Sequence, residues 1–163
     1  MRWGGFIDHV DQFDAAFFNI SPHEAELIDP QQRLFLQTAW KTIEDAGYTA
    51  ATLATMKTGL FVGVFNHDYA ELLQKNEVMD AYLTTGTMHS MIANRISYIL
   101  NLRGPSEAID TACSSSLVAI HQAVQAILHN DCELALAGGV NTLITPTSFI
   151  AARQAGMLSE DGH

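Results

Sequence analysis

The segment Asp110-Thr111-Ala112-Cys113-Ser114-Ser115-Ser116 sets one cysteine between a short β-type stretch and a long apolar-periodic helix. A thiol in that place is a candidate nucleophile. A helix over 114–130 leaves its first backbone N–H groups without intrahelical partners, and its dipole favours negative charge on sulfur at that end. Cysteine at a helix N-terminus is acidified relative to a free thiol. The same backbone N–H groups, and that of Cys113 itself, are candidate donors to the oxyanion of a tetrahedral intermediate. Against this stands the ordinary behaviour of free cysteine as a small buried hydrophobe; a nucleophile also needs a partner in space, commonly histidine. Cys132 lies between Asp131 and Glu133, whose carboxylates should raise its pKa and discourage the thiolate, so it reads as structural.

Composition limits what such a site could serve. At 163 residues the chain can form one domain with a real core, or part of a larger one. The hydrophobic fraction of 48% and mean hydropathy of +0.09 fit a packed interior. No uninterrupted apolar stretch approaches the roughly 18 to 20 residues that span a bilayer. Met1-Arg2-Trp3-Gly4-Gly5-Phe6 lacks the apolar region of a secretory signal. Two cysteines of unlike setting do not suggest a disulfide framework, so a reducing, cytoplasmic compartment is expected. A formal charge of −10 argues against nucleic acid, whose phosphates require clustered Lys and Arg.

The elements that must position Cys113 are legible along the chain. Ser21-Pro22-His23-Glu24 has capping-box form, with Glu24 expected to reach back to Ser21. Asp29-Pro30-Gln31-Gln32 opens a second helix over 30–46, with Leu34, Phe35, Thr38, Ile43 and Ala46 at helical spacing and Gly47 as its stop. The apolar run over 59–65 suits a strand buried on both faces. A helix over 90–100 places Ile92, Ile96 and Ile99 on one face and stops at Gly104-Pro105, after which a strand over 106–110 feeds the cysteine. In the next helix, Leu117, Ile120, Val124 and Ile127 form one face and Ala119, Ala123 and Ala126 a second, predicting burial on more than one side. Residues 133–137 read as another buried strand, and Gly138-Gly139 lets the backbone pass close to its neighbours. Strands alternating with helices indicate an α/β sheet.

Several segments together resemble one family. They are Phe13-Asp14-Ala15-Ala16-Phe17-Phe18 with Ile20-Ser21-Pro22, Asp29-Pro30-Gln31-Gln32-Arg33, Phe61-Val62-Gly63, Asn94-Arg95-Ile96-Ser97-Tyr98, residues 110–116, Ala137-Gly138-Gly139-Val140 and Ala155-Gly156-Met157-Leu158-Ser159. In this order they resemble the N-terminal half of the β-ketoacyl synthase domain of modular type I polyketide synthases, with residues 1–163 as its N-terminal part and the C-terminal part absent. The resemblance implies a partial thiolase-like α/β fold, a mixed sheet with flanking and buried helices. It implies that Cys113 accepts an acyl chain as a thioester from the phosphopantetheine arm of an acyl carrier protein. Decarboxylative Claisen condensation with a malonyl-type extender would follow in the intact enzyme, in polyketide or, less closely, fatty acid biosynthesis. It implies a homodimer paired through the strand before the cysteine, and no bound cofactor or metal.

The resemblance also marks what this chain does not show. None of its seven histidines occupies the motifs of the family's two catalytic histidines. His163 follows a Ser-Glu-Asp-Gly loop and is not read as catalytic; His121 and His129 lie too far along the helix to meet the sulfur and read as solvated or structural. Asp110 reads as a backbone acceptor, Ser114 to Ser116 as helix caps, and Met88 as core filler. Two other readings stay open: a non-elongating ketosynthase that only transfers acyl groups, and a catalytically inactive dimerisation or interaction fragment.

Overall fold

The computed structural model describes residues 4–162. The first three residues of the Met1–Phe6 stretch, and His163, lie outside the described residues. In chain order the elements are α1 Pro22–Leu27, α2 Pro30–Asp45, α3 Ala50–Thr55, β1 Thr58–Gly63, α4 Asp68–Lys75, α5 Leu83–Thr87, α6 Ser90–Ile99, β2 Ser106–Ile109, a 3-10 turn Ala112–Ser114, α7 Ser115–Leu128, β3 Leu134–Gly139 and α8 Thr147–Gln154. β1 is central, with β2 and β3 parallel on either side. The described strands are therefore all parallel, which corrects the expected mixed sheet to its parallel part.

Alternation along β1 divides the core. Leu60 and Val62, continued by Val64, face a cluster with Phe35, Leu36 and Ile43 of α2 and Ile92, Ala93 and Ile96 of α6. Phe61 points the other way, into a cluster with Ala119, Ala123 and Ala126 of α7 and with Cys132. Every residue of β1 is buried, as expected of a central parallel strand. β3, expected to be buried, is only half covered, because it lies at a sheet edge.

α2 keeps its predicted signals. Asp29 caps it through Gln31 N–H at 2.8 Å, and Gly47, at φ +76°, ends it. Gly47 N–H reaches the Glu44 carbonyl and Tyr48 N–H the Ile43 carbonyl, closing a Schellman motif. Its core face differs from the expected one: Thr38 and Ala46 are not part of it, and Gln31, Gln32, Phe35, Leu36, Ala39 and Ile43 are buried. Thr38 instead turns its hydroxyl onto the Leu34 carbonyl. The buried glutamines latch loops to the helix start. Gln31 donates to the Asn66 carbonyl and accepts from Thr142 N–H; Gln32 donates to the carbonyl of Gly86 and accepts from Arg95 Nε. Arg95 also pairs with Glu24 at 2.6 Å. That pairing overturns the reciprocal capping box: Glu24 N–H bonds Ser21 Oγ at 3.1 Å, but the carboxylate is drawn to the guanidinium.

α7 shows the largest departure. Its alanine face is buried on the sheet, whereas Leu117 is 72% exposed and Ile120, Val124 and Ile127 are also exposed. The prediction of burial on more than one side is corrected to burial on one. Alanine lets the helix backbone settle close to Phe61 and Ala135, which turns the bulky face away from the sheet. Among the described residues nothing covers that face.

Candidate active site

β2 ends at Ile109, beside the end of β1, where Val64 N–H bonds the Ile109 carbonyl at 3.0 Å. From there the chain reverses into α7 within a few residues. It does so through Ala112, whose φ is +54°. Non-glycine residues rarely occupy this left-handed region, at a cost of about 1–3 kcal/mol, and alanine has no polar side chain to ease it. Glycines flank the turn from below. Gly63 and Gly139 are register partners on β1 and β3. A Cβ on Gly63 would fall 2.6 Å from Ser116 N, and one on Gly139 2.1 Å from Ser116 Oγ. The bare strand ends allow the head of α7 to sit directly on the sheet. The close approach expected of Gly138-Gly139 is thus present, and Gly63 is its unforeseen counterpart.

Cys113 sits on this turn, exposed, one residue before the N-cap of α7. Asp110 does what was expected of it: its Oδ1 accepts Ala112 N–H at 3.0 Å. The serines do not. Ser114 makes no cap and donates backward to the Thr111 carbonyl at 2.8 Å. Ser115 also turns back, accepting Thr111 N–H at 2.9 Å. The correction has a local cause: a 3-10 turn precedes the helix, and its carbonyls and N–H groups lie within reach of these short side chains.

The remaining sequence candidates lie elsewhere. His121 and His129 are exposed on α7 and at its end. Met88, read as core filler, is 50% exposed where the chain leaves α5. His89 stacks on His67 at 3.7 Å and bonds the Asn66 carbonyl at 3.0 Å. Cys132 is buried, and burial is the main reason its thiol is pushed up, with Asp131 adding to it. Glu133, expected to share in that effect, spends its carboxylate on Lys57 N–H at 2.8 Å. No group of three or more His, Cys, Asp or Glu side chains arranged for a metal occurs among the described residues.

The chain as a whole has close counterparts among solved structures and known sequences. The model of the β-ketoacyl synthase N-terminal domain matches residues 1–163. The chain belongs to the β-ketoacyl synthase family. The ketosynthase from module 6 of the bacillaene synthase of Bacillus subtilis 168 superposes with a TM-score of 0.88 at 46% identity, over 98% of this chain and 27% of that one. The oxazolomycin ketosynthase domain of Streptomyces albus gives 0.89 at 44% identity, over 98% and 27%. The fold is accordingly the N-terminal part of a thiolase-like ketosynthase. Among sequences, polyketide synthase PksN of Bacillus subtilis is 54% identical over 163 residues, covering 99% of this chain and 3% of that protein. The pikromycin polyketide synthase component PikAII of Streptomyces venezuelae is 50% identical over 163 residues, 99% of this chain and 4% of that protein. This ketosynthase chain thus spans about a quarter of the solved domains and less than a tenth of these curated relatives.

Proposed function

We propose that this chain carries the acyl-accepting cysteine of a polyketide ketosynthase. The observation that carries the reading is the exposed Cys113 on a strained turn between the end of a parallel strand and the head of a helix. Cys113 Sγ, as thiolate, attacks the carbonyl carbon of an acyl chain carried as a thioester on the phosphopantetheine arm of an acyl carrier protein. The carbonyl π electrons move to oxygen, and the backbone N–H of Cys113 is a candidate donor to that oxyanion. Collapse of the intermediate breaks the bond to the pantetheine sulfur, which leaves as thiolate and takes a proton from solvent. One thioester replaces another, so the step is close to thermoneutral.

In the intact protein the acyl-cysteine then receives the carbanion formed when a malonyl-type extender loses carbon dioxide. No bound cofactor is invoked. The outer edge of β2, unpaired among the described residues, supports a homodimer in which this strand pairs with its copy across a two-fold axis, since such an edge offers a row of N–H and C=O groups. No helix among the described residues is long and apolar enough to cross a membrane.

The test is loading of the intact protein from an acyl-pantetheine thioester, followed by intact mass. The native protein should gain one acyl mass and Cys113→Ala none. Undiminished acylation of Cys113→Ala would refute the reading.

A further inference from the structure

Ala112 has no means of holding its own left-handed conformation. The other non-glycine residues with positive φ include Asn19, Asn101 and Asn130, whose side chains suit that region. Beside Ala112 lies the side chain of Ser115, which is 5% exposed at the first position of α7. Ser115 Oγ accepts Thr111 N–H at 2.9 Å. It lies 2.7 Å from the Ala112 carbonyl and 3.0 Å from the Val64 carbonyl, and its one hydroxyl hydrogen serves these two acceptors. One oxygen therefore joins the end of β1, the residue before the turn, the strained residue itself and the start of the helix. The bare Cα atoms of Gly63 and Gly139 let it come this close, because a Cβ on Gly63 would also meet Ser115 C at 2.7 Å.

We propose that Ser115 is a positioning residue, whose buried hydroxyl locks Ala112 in the left-handed turn and so fixes where the Cys113 sulfur is presented. The assignment rests on the acyl-transfer reading of Cys113 given above. Ser115 takes no part in the bond changes and acts only through the backbone on either side of the cysteine. Misplacing a reacting atom by about 1 Å can lower a rate on the order of 100-fold, so loss of the lock should be visible kinetically.

The experiment uses the intact protein with Ser115→Ala, Ser115→Thr, Ala112→Gly and the Ser115→Ala/Ala112→Gly double variant. Two rates are read: single-turnover loading of Cys113 from an acyl-pantetheine thioester, and alkylation of Cys113 by iodoacetamide. Ser115→Ala should load roughly 10- to 100-fold more slowly. Ala112→Gly should restore most of that loss in the double variant, because glycine adopts positive φ without a clamp. Ser115→Thr, which keeps the hydroxyl, should stay within about threefold of native on the same argument. A cooperatively melting Ser115→Ala that loads at the native rate would overturn the proposal. So would a folded double variant as slow as Ser115→Ala, or a folded Ser115→Thr as slow as the alanine form. If Cys113 proves not to be the acyl acceptor, the loading arm fails in the native protein as well, and the alkylation arm still decides the role of Ser115.

Discussion

Cys113 and Cys132 stand at opposite ends of the same helix, and the fold gives them opposite settings. Cys113 precedes α7 on a strained turn and is exposed. Cys132 follows its C-terminal end, where Asp131 N–H and Cys132 N–H both turn back to the Ala126 carbonyl at 2.8 and 3.3 Å. It is buried against Gly59 and Phe61. The helix dipole opposes a thiolate at this C-terminal end. Burial pushes the Cys132 thiol further from ionising. Position around α7, not residue type, is what separates the two thiols.

The strongest way to break that contrast is to remove each sulfur in turn. Cys113→Ala should abolish acyl loading while changing stability by no more than about 0.5 kcal/mol, as is usual for an exposed site; Cys132→Ala should load at the native rate. Parallel loading and urea unfolding assays would show it. Next in size is Gly63→Ala, whose Cβ would meet the backbone of Ser116 at 2.6 Å. Overpacking of this kind costs about 1–3 kcal/mol. The damage falls on the Cys113 end of α7, so iodoacetamide should label Cys113 at an altered rate while Cys132 stays protected.

Cys132→Ser sharpens the other side. A hydroxyl there keeps the Gly59 backbone hydrogen bond but is smaller and more polar than the sulfur packed beside Phe61 and the α7 alanines, and should destabilise by about 1 kcal/mol without slowing loading, by denaturant melts beside single-turnover kinetics. The smallest effect is on pH. Because the folded-state pKa of Cys132 is raised, its contribution to stability is fully present below the unfolded thiol value of about 8.5 and is lost as pH rises above it. Alkaline melts should therefore fall less steeply for Cys132→Ala than for the native protein.

Much of this arrangement can be read from residue order alone. The strands flanking Cys113, the long helices and the Gly47 stop follow from periodicity, caps and glycine, and they lie within a few residues of their expected bounds. The short helices α3, α4, α5 and α8 carry too few turns for a periodic signal, and tertiary contacts decide them. Two features at the site are hidden in the sequence for different reasons. Alanine has no preference for the left-handed region, so the strain at Ala112 is imposed by Asp110 and Ser115 from outside. Ser115 resembles any serine at a helix start until its hydroxyl is found pointing backward to Val64. The exposure of the apolar face of α7 is hidden too, because periodicity identifies a face without saying whether anything covers it.

The most direct test of the acyl-accepting role of Cys113 is to react the intact protein with an acyl-pantetheine thioester, digest it without reductant, and map the acyl mass by tandem mass spectrometry. The acyl group is expected on the peptide containing Cys113, as a hydroxylamine-labile thioester, with Cys132 unmodified. Acylation at Cys132, or at another residue with Cys113 left free, would contradict that role.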